Sequence, residues 1–257
     1  MSGDVTRGLT VPSVFWGLGA MGEATAALRT LAQMEGVGDP NNAWFVADNL
    51  LTYGHTRGFL MEPRFVEAVL AAAPRQEERA VVWRTHTLCW AAESCRGLPG
   101  DFVECGTYRG YSAEVILRFL DGLPGRCLWL YDLFDVSGAA GEGHRLPAHA
   151  PDLVDQVRAR FRPWDNVKVI QGKVPPILDE IAPERIAFMH IDMNNAEAEL
   201  GALDRLFDRV APGGIIVFDD YGWTGYRDQK QAAHSFMQQR GLSILELPTG
   251  QGMALKR

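Results

Sequence analysis

The hydrophobic and polar positions of this 257-residue chain follow two patterns, which meet at the turn-forming segment Gly97-Leu98-Pro99-Gly100. Before this segment, apolar residues recur at helical spacing. This spacing predicts helices over residues 23–35, 44–51, 62–73 and 76–95, with Pro63 in a first turn, where proline is tolerated. We therefore expect a helical N-terminal cap or lid over residues 1–97 and a second domain over residues 98–257.

After the turn, short apolar runs alternate with segments of helical spacing. The runs predict strands over residues 102–105, 127–131, 167–170, 186–191 and 215–218. The segments between and after them predict helices over residues 112–120, 153–161, 176–181, 198–210 and 229–240. This alternation is typical of an α/β fold with a doubly wound, mostly parallel sheet. The last two runs, residues 243–247 and 252–255, predict an antiparallel hairpin at the edge of that sheet.

The composition excludes several classes of partner. The chain is 47% hydrophobic and 22% charged, and its formal net charge of -7 provides no basic stripe for a nucleic acid. It has no run of about 20 apolar residues and no basic segment followed by an apolar core, so we expect neither a membrane anchor nor a targeting signal. The four cysteines lack metal-ligand spacing, which favours free thiols and a cytoplasmic location.

Two predicted strands end in acidic residues. Asp192 follows one apolar run, and Asp219 and Asp220 follow the next. Because the carboxyl ends of parallel strands meet at one edge of a sheet, we expect these three carboxylates to converge. Crowded carboxylates repel one another unless a cation or a shared proton compensates them, and their hard oxygen atoms suit Mg²⁺. His190 lies on the same side of its strand as Asp192, but we interpret it as a hydrogen-bonded core residue.

The first strand of the second domain leads into a glycine-containing turn, from Glu104 to Ser112. Gly106 and Gly110 permit a tight turn against a ligand, and Ser112 is expected to cap the next helix. The turn lacks the glycine spacing of a dinucleotide site. Glu104 would repel a pyrophosphate but attract the positive charge of S-adenosylmethionine. Asp132, at the end of the second strand, is placed to bind ribose hydroxyl groups.

These motifs, together with Gln171-Gly172, Pro212-Gly213-Gly214 and Asp219-Asp220-Tyr221, resemble the TylF/MycF-type sugar O-methyltransferases, which include the novobiocin sugar methyltransferase. The resemblance extends from about Gly100 to the C-terminus. It implies a Rossmann-like class I methyltransferase fold that uses S-adenosylmethionine and Mg²⁺. It also implies that Asp192 is catalytic and binds the metal together with Asp219 and Asp220. The cofactor-binding residues implied are Glu104, Gly106, Thr107, Tyr108, Arg109, Gly110, Ser112, Asp132, Phe134, Gln171, Gly172 and Asp192.

The chain departs from the family pattern at two segments that help to shape the acceptor pocket. Met193-Asn194-Asn195-Ala196 replaces a Gly-Asp-Leu-Tyr type segment, and Leu133-Phe134-Asp135-Val136 replaces the common Ser-Phe-Glu-Gly. The expected substrate is a sugar hydroxyl of a natural product, such as an antibiotic glycoside. A small phenol or catechol is the alternative acceptor.

Two further functions remain as alternatives. Gly17, Gly19 and Gly22 match the glycine spacing of a nicotinamide-dependent oxidoreductase. Pro12 interrupts the preceding apolar run and no second strand follows, so we interpret this motif as a loop before the first helix. The other alternative is a catalytically silent module that binds S-adenosylmethionine.

Several residues have both a functional and a structural interpretation. His144 and His149 lie in a Gly/Ala-rich connection, residues 137–151, where either histidine is an accessory base or a solvated loop residue. Trp223 and Tyr226 are candidates for stacking on a sugar, and residues 249–252 for reaching the same pocket. Residues 53–61 combine aromatic, glycine and polar positions, as in a lid or an interhelical loop. We also expect a homodimer or a higher homo-oligomer.

Overall fold

The computed structural model describes residues 9–12, 26–27, 30–31, 33, 39, 43–134 and 150–257. The chain divides into two compact units, Met1–Thr87 and Leu88–Arg257. The predicted boundary between residues 97 and 98 stays a prediction. The Gly17 to Gly22 motif, His144 and His149 lie outside the described residues. Of the predicted helix over residues 23–35, the described residues 26–27 and 30–31 are helical.

In the first unit, the helix predicted over residues 44–51 is wrong. This segment forms an antiparallel hairpin of β1 (Trp44–Ala47) and β2 (Leu50–Tyr53). Asp48 and Asn49 form the connecting turn with φ angles of 52° and 56°, as two-residue hairpin turns require. The guanidinium group of Arg84 fixes this turn by donating two hydrogen bonds to the buried Asp48 carboxylate, at 2.6 and 2.5 Å.

Three helices follow the hairpin. They are α1 (Pro63–Ala71), α2 (Gln76–Ala80) and α3 (Val82–Ser94). Pro63 begins α1, as predicted. The single helix predicted over residues 76–95 is interrupted at Val81, whose ψ angle of 22° departs from helical geometry. The division between the two units falls within α3.

The second unit contains a seven-stranded sheet with the order β5-β4-β3-β6-β7-β9-β8. Strands β3 to β7 are parallel, and β9 runs antiparallel to both β7 and β8. The strands are β3 (Asp101–Cys105), β4 (Leu128–Asp132), β5 (Val167–Gln171), β6 (Ile186–Ile191), β7 (Val210–Phe218), β8 (Leu245–Glu246) and β9 (Gly252–Leu255). The predicted doubly wound sheet with a terminal hairpin is therefore confirmed.

The helices of this unit are α4 (Tyr111–Phe119), α5 (Leu153–Phe161), α6 (Pro176–Glu180), α7 (Ala196–Leu206) and α8 (Arg227–Gln238). All six residues of β6 are buried, as expected for a central parallel strand that is covered on both faces. The chain runs outward from β3 through β4 to β5, then returns to β6 on the other side of β3. This reversal opens a crevice at the carboxyl ends of β3 and β6, where open α/β sheets bind ligands.

The four cysteines are free thiols, and Cys89, Cys95 and Cys105 are buried. Burial raises the pKa of Cys95 to about 11 and raises the pKa of Cys105 well above its ordinary value. These thiols therefore stay protonated and act as small apolar side chains. In the part of the chain that the structure describes, no helix is long and apolar enough to span a membrane.

Candidate active site

Backbone hydrogen bonds place the predicted site residues side by side along the carboxyl edge of the sheet. The amide of Gly106 donates to the Tyr131 carbonyl at 2.8 Å, and the amide of Asp192 donates to the Cys105 carbonyl at 2.8 Å. The amide of Asp219 donates to the Ile191 carbonyl at 3.0 Å. The glycine turn, Asp192 and Asp219 are thus held by consecutive neighbouring strands.

The side chains of His190, Asp192 and Asp219 converge at this edge. Each offers one ligand atom, and these atoms all lie within 4.8 Å of one another. Asp192 and Asp219 therefore come together as the sequence predicts, with His190 as the third member of this group. Asp220 follows Asp219 directly but is not part of the group, so its role as a metal ligand stays a prediction.

His190 connects two acidic residues. Its side chain is almost completely buried, and its Nδ1 atom lies 2.9 Å from Oε1 of Glu104, its partner in the β3–β6 register. Its Nε2 atom lies 3.6 Å from Oδ1 of Asp219, which is an electrostatic contact beyond ordinary hydrogen-bond length. Burial lowers the pKa of His190, but the carboxylates of Asp219 and Glu104 outweigh burial and raise that pKa to about 10. The protein alone therefore holds His190 as a cation between two anions.

Gly106 is required by a close approach of two backbone segments. Its φ angle is +95°, and a Cβ atom at this position would lie 1.8 Å from the carbonyl oxygen of Asp192. Any side chain here would push the end of β6 away from the turn. The explanation from sequence, that glycine makes room for a ligand, is thus incomplete, because this glycine first makes room for Asp192.

The predicted helix cap at Ser112 is wrong. Helix α4 begins at Tyr111, so Ser112 is its second residue, and Gly110 occupies the cap position without a side-chain hydrogen bond. Gly110 has a left-handed conformation with a φ angle of +73°, and its amide closes the turn by donating to the Thr107 carbonyl at 2.8 Å. A glycine that already turns the chain into the helix leaves no place for a serine cap.

Asp132 orients the loops that follow β3 and β4. Its carboxylate accepts hydrogen bonds from the amide of Tyr108 at 2.6 Å and from the amide of Phe134 at 2.7 Å. Both donor residues have left-handed conformations, with φ angles of 48° and 49°. The Asp132 carbonyl accepts from the amide of Gly172 at 2.9 Å, which places Gln171 and Gly172 beside it. Each carboxylate oxygen of Asp132 has a second acceptor position that suits a ribose hydroxyl.

Four buried polar atoms at this edge have no hydrogen-bond partner within the protein. They belong to residues in or directly after β3 and β6: Oε2 of Glu104, Oγ1 of Thr107, Nε2 of His190 and Oδ1 of Asn194. Buried polar atoms in native proteins are nearly always paired, so unpaired ones need an explanation. A polar ligand bound in the crevice at the carboxyl ends of β3 and β6 would provide one.

Sequence analysis missed Glu199 as a residue of this region. Glu199 is buried in α7, where its Oε1 atom accepts from Nε2 of Gln229 at 2.8 Å and from the amide of Met193 at 3.4 Å. It therefore holds the segment after Asp192. Burial raises the pKa of Glu199 to about 7, against the lowering effect of the bond from Gln229. Asn195, which caps α7 through its bond from the Ala198 amide at 2.8 Å, is a readable signal for the helix start, but no local pattern indicates Glu199.

The terminal hairpin reaches the acidic residues, as one interpretation of residues 249–252 predicts. Nε2 of Gln251 donates a hydrogen bond to Oδ1 of Asp219 at 2.9 Å. The ring of Trp223 lies close to Gly250, where a Cβ atom would lie 2.2 Å from the indole Nε1. Trp223 thus packs against the hairpin turn, and the sugar-stacking role of Trp223 and Tyr226 stays a prediction. Residues 53–61 include the end of β2 and a 3₁₀ turn at Gly58–Met61, and their lid role also stays a prediction.

The order and directions of the strands define a class I methyltransferase fold. The solved structure of the O-methyltransferase NovP matches 69% of this chain and 81% of its own length, with a TM-score of 0.56 and 23% sequence identity. At this identity the match supports the fold, and the predicted fold class is confirmed.

Comparisons of sequence identify the family. The model of the macrocin-O-methyltransferase (TylF) family matches residues 84–245. The chain belongs to this family, which consists of S-adenosylmethionine-dependent O-methyltransferases. The predicted family is therefore confirmed.

Two characterised relatives modify sugar-bearing natural products. The chain is 32% identical over 164 residues to 8-demethyl-8-(2,3-dimethoxy-alpha-L-rhamnosyl)-tetracenomycin-C 4'-O-methyltransferase of Streptomyces olivaceus, covering 57% of this chain and 61% of the relative. It is 25% identical over 214 residues to mycinamicin III 3''-O-methyltransferase of Micromonospora griseorubida, covering 74% of this chain and 83% of the relative. The matched region thus spans less than two thirds of the first relative's length.

Proposed function

We propose that this protein transfers a methyl group from S-adenosylmethionine to a sugar hydroxyl of a natural-product glycoside, with Mg²⁺ bound at the reaction centre. The supporting observation is the position of the buried polar atoms of Glu104, Thr107 and Asn194 that have no hydrogen-bond partner. They lie in or directly after the strands that carry Asp192 and Glu104, beside the group formed by Asp192 and Asp219. A cofactor site next to an acidic site is the arrangement that methyl transfer to an alcohol needs.

The residues at the carboxyl edge fit the cofactor. S-adenosylmethionine supplies a methyl group on a positively charged sulfur atom. Glu104 provides a carboxylate with an unpaired buried oxygen for the cationic part of the molecule, and Asp132 has acceptor positions for the ribose. The turn from Gly106 to Ser112 with Thr107, Tyr108, Arg109 and Gly110, together with Phe134, Gln171 and Gly172, is proposed to form the remainder of the cofactor site.

The acidic residues fit a hard divalent cation. Mg²⁺ prefers carboxylate oxygen ligands, which Asp192, Asp219 and Asp220 would provide. Bound there, the ion would polarise the acceptor hydroxyl and orient it towards the methyl group. The convergence of Asp192 and Asp219 supports this assignment, because carboxylates that lie close together provide the oxygen ligands that a divalent cation binds.

Asp192 is the proposed general base. Its carboxylate would accept the hydroxyl proton as the acceptor oxygen forms its bond to the methyl carbon and the carbon–sulfur bond breaks. The positive charge of the sulfonium is lost in this step, and the released proton resides on Asp192. General-base catalysis raises a rate by about 10²–10⁴-fold, whereas positioning lowers the activation barrier by about 7–11 kcal/mol. Orientation by the surrounding residues is therefore the larger effect.

The proposed acceptor is a sugar because both characterised relatives bear names of enzymes that methylate sugars of antibiotics. The segment 193–196 differs from the usual family pattern and is where this chain would set its own acceptor preference. Glu199 holds this segment through the Met193 amide, and Asn195 within it caps α7. A cytoplasmic location and a homodimeric or higher assembly remain predictions that accompany this function.

The test is a methylation assay on a panel of rhamnosyl and other deoxysugar glycosides, with catechol and a simple phenol included. We expect a mass increase of one methyl group on a glycoside, loss of product with EDTA and recovery with added Mg²⁺. Methylation of the phenols alone would contradict the sugar assignment. Binding of S-adenosylhomocysteine without methylation of any acceptor would support the silent-module alternative.

A further inference from the structure

Two buried, hydrogen-bonded side chains of the terminal hairpin contact Asp219, a member of the group formed with His190 and Asp192. Oγ1 of Thr249 donates a hydrogen bond to Oε1 of Gln251 at 3.1 Å, and Nε2 of Gln251 donates to Oδ1 of Asp219 at 2.9 Å. The Gln251 side chain is completely buried, and Thr249 and Asp219 are each less than 10% exposed, at 4% and 8%. The hydrogen bonds between these three side chains therefore lie in a water-poor environment, where each hydrogen bond is strong.

The order of donors determines how Gln251 is oriented. A glutamine amide has one acceptor end and one donor end, and either can face a neighbour. The Asp219 carboxylate only accepts hydrogen bonds, so the amide nitrogen of Gln251 is directed to it and the carbonyl oxygen faces Thr249. The Thr249 hydroxyl donates to that oxygen and fixes the position of the amide, which would lose its second hydrogen bond without this hydroxyl.

The backbone around Gln251 is also fixed. The amide of Leu247 donates to the Gln251 carbonyl at 2.8 Å, and the amide of Gly222 donates to the Gly250 carbonyl at 2.7 Å. Gly250 has a left-handed φ angle of +84° and packs against the indole of Trp223. The hairpin turn therefore holds Gln251 from both sides.

Gln251 and His190 approach the same oxygen of Asp219. Oδ1 of Asp219 lies 2.9 Å from Nε2 of Gln251 and 3.6 Å from Nε2 of His190. Two nitrogen groups, one from the turn of the terminal hairpin and one from β6, thus set the direction of this carboxylate. Groups that orient a metal-binding carboxylate commonly change metal affinity by 10–100-fold when removed.

We propose that Gln251, oriented by Thr249, is a positioning residue that presents Asp219 to the divalent cation. This inference rests on the proposed function, because it assigns Asp219 to the metal. It gives the terminal hairpin a role in the reaction beyond closing the sheet edge. Neither Thr249 nor Gln251 contacts the reacting groups in this assignment.

The experiment compares Thr249→Val with Thr249→Ser in the full chain. Valine has the shape of threonine but no hydroxyl, whereas serine keeps the hydroxyl. Isothermal titration with Mg²⁺, on protein saturated with S-adenosylhomocysteine, should show a weakening of about tenfold for Thr249→Val and little change for Thr249→Ser. The affinity for S-adenosylhomocysteine should stay the same in both variants. Gln251→Met, which keeps the length of the side chain but removes the amide, should weaken Mg²⁺ at least as much as Thr249→Val.

The matched control for losing a buried hydroxyl is Thr85→Val, since Thr85 is also buried and its hydroxyl donates to the carbonyl of Val81, the residue directly before α3. It should leave Mg²⁺ affinity unchanged. Equal Mg²⁺ affinity in Thr249→Val and the unmodified protein would overturn the positioning role. If the unmodified protein itself bound no Mg²⁺, the metal part of the proposed function would fail instead, so the two failures are distinguishable.

Discussion

Strand β3 carries one acidic residue near each end, and the two residues have different surroundings. At the amino edge of the sheet, the Asp101 carboxylate accepts hydrogen bonds from the Cys127 amide and the Trp129 indole, both at 2.8 Å. At the carboxyl edge, Glu104 pairs one oxygen with His190, while Oε2 is buried without a partner. One acidic residue of this strand is therefore fully used by hydrogen bonds within the fold, whereas the other has an oxygen available for the proposed ligand.

The backbone differs less sharply between the two edges. At the amino edge, positive φ angles fall on Gly100 and Gly122, where they are tolerated without strain, and on one larger residue, Asp121, with a φ angle of 55°. At the carboxyl edge, Tyr108, Phe134 and Asn194 also have left-handed conformations. Such conformations in larger residues are unfavourable and concentrate at functional sites, where surrounding contacts enforce them. Here the Asp132 carboxylate enforces two of the three.

The largest expected effect comes from removing the proposed base at the carboxyl edge. Asp192→Asn keeps the shape of the side chain but cannot accept the hydroxyl proton. We expect turnover to fall by at least about 10²-fold, with the affinity for S-adenosylhomocysteine largely kept. Methyl-transfer rates and calorimetric binding measure the two quantities. Loss of cofactor binding with normal turnover at saturation would contradict the role of Asp192.

At the amino edge we expect a loss of stability without a loss of turnover. Asp101→Ala leaves the Trp129 indole and the Cys127 amide without their acceptor, so the free energy of unfolding should fall by about 2–3 kcal/mol. Turnover should be unchanged under conditions where the variant is folded. Urea denaturation and steady-state kinetics provide the two readouts, and a marked loss of turnover in folded Asp101→Ala would break the distinction between the edges.

A smaller, pH-dependent effect is expected at Glu199. Its folded pKa of about 7 lies above the ordinary value of 4.5, so the folded protein keeps a proton that the unfolded chain releases. Because of Glu199, the free energy of unfolding should decrease as the pH rises from 4.5 to about 7, between the ordinary and the folded pKa. Glu199→Gln retains the acceptor oxygen for Gln229 and Met193 but does not titrate.

Relative to the unmodified protein, Glu199→Gln should gain stability, on the order of 2–3 kcal/mol, between about pH 5 and pH 8. Chemical denaturation across this range measures the difference. Parallel stability curves for the two proteins would show that burial of Glu199 does not raise its pKa as described.

The sequence indicates much of the second unit because its strands are continuous apolar runs that end in acidic residues. The ends of β6 and β7 place Asp192 and Asp219 correctly for this reason. The segment 44–51 is misjudged, since Asp48 and Asn49 form a turn within a short apolar stretch that also suits a helix. Ser112 fails as a cap because Gly110 already turns the chain.

The supporting residues could not be found from sequence. Gln251 and Asp219 are far apart along the chain, and so are Glu199 and Gln229, and only the fold brings each pair together. No local spacing encodes such contacts. Likewise, the need for glycine at position 106 is visible only when Asp192 lies beside it.

The decisive measurement is calorimetric binding of S-adenosylmethionine to the unmodified protein, Glu104→Gln and Asp101→Asn. Each variant removes one negative charge from the same strand, at opposite ends. We expect Glu104→Gln to weaken binding by about tenfold or more, whereas Asp101→Asn should bind like the unmodified protein. Equal affinities for all three proteins would contradict the assignment of the carboxyl edge as the cofactor site.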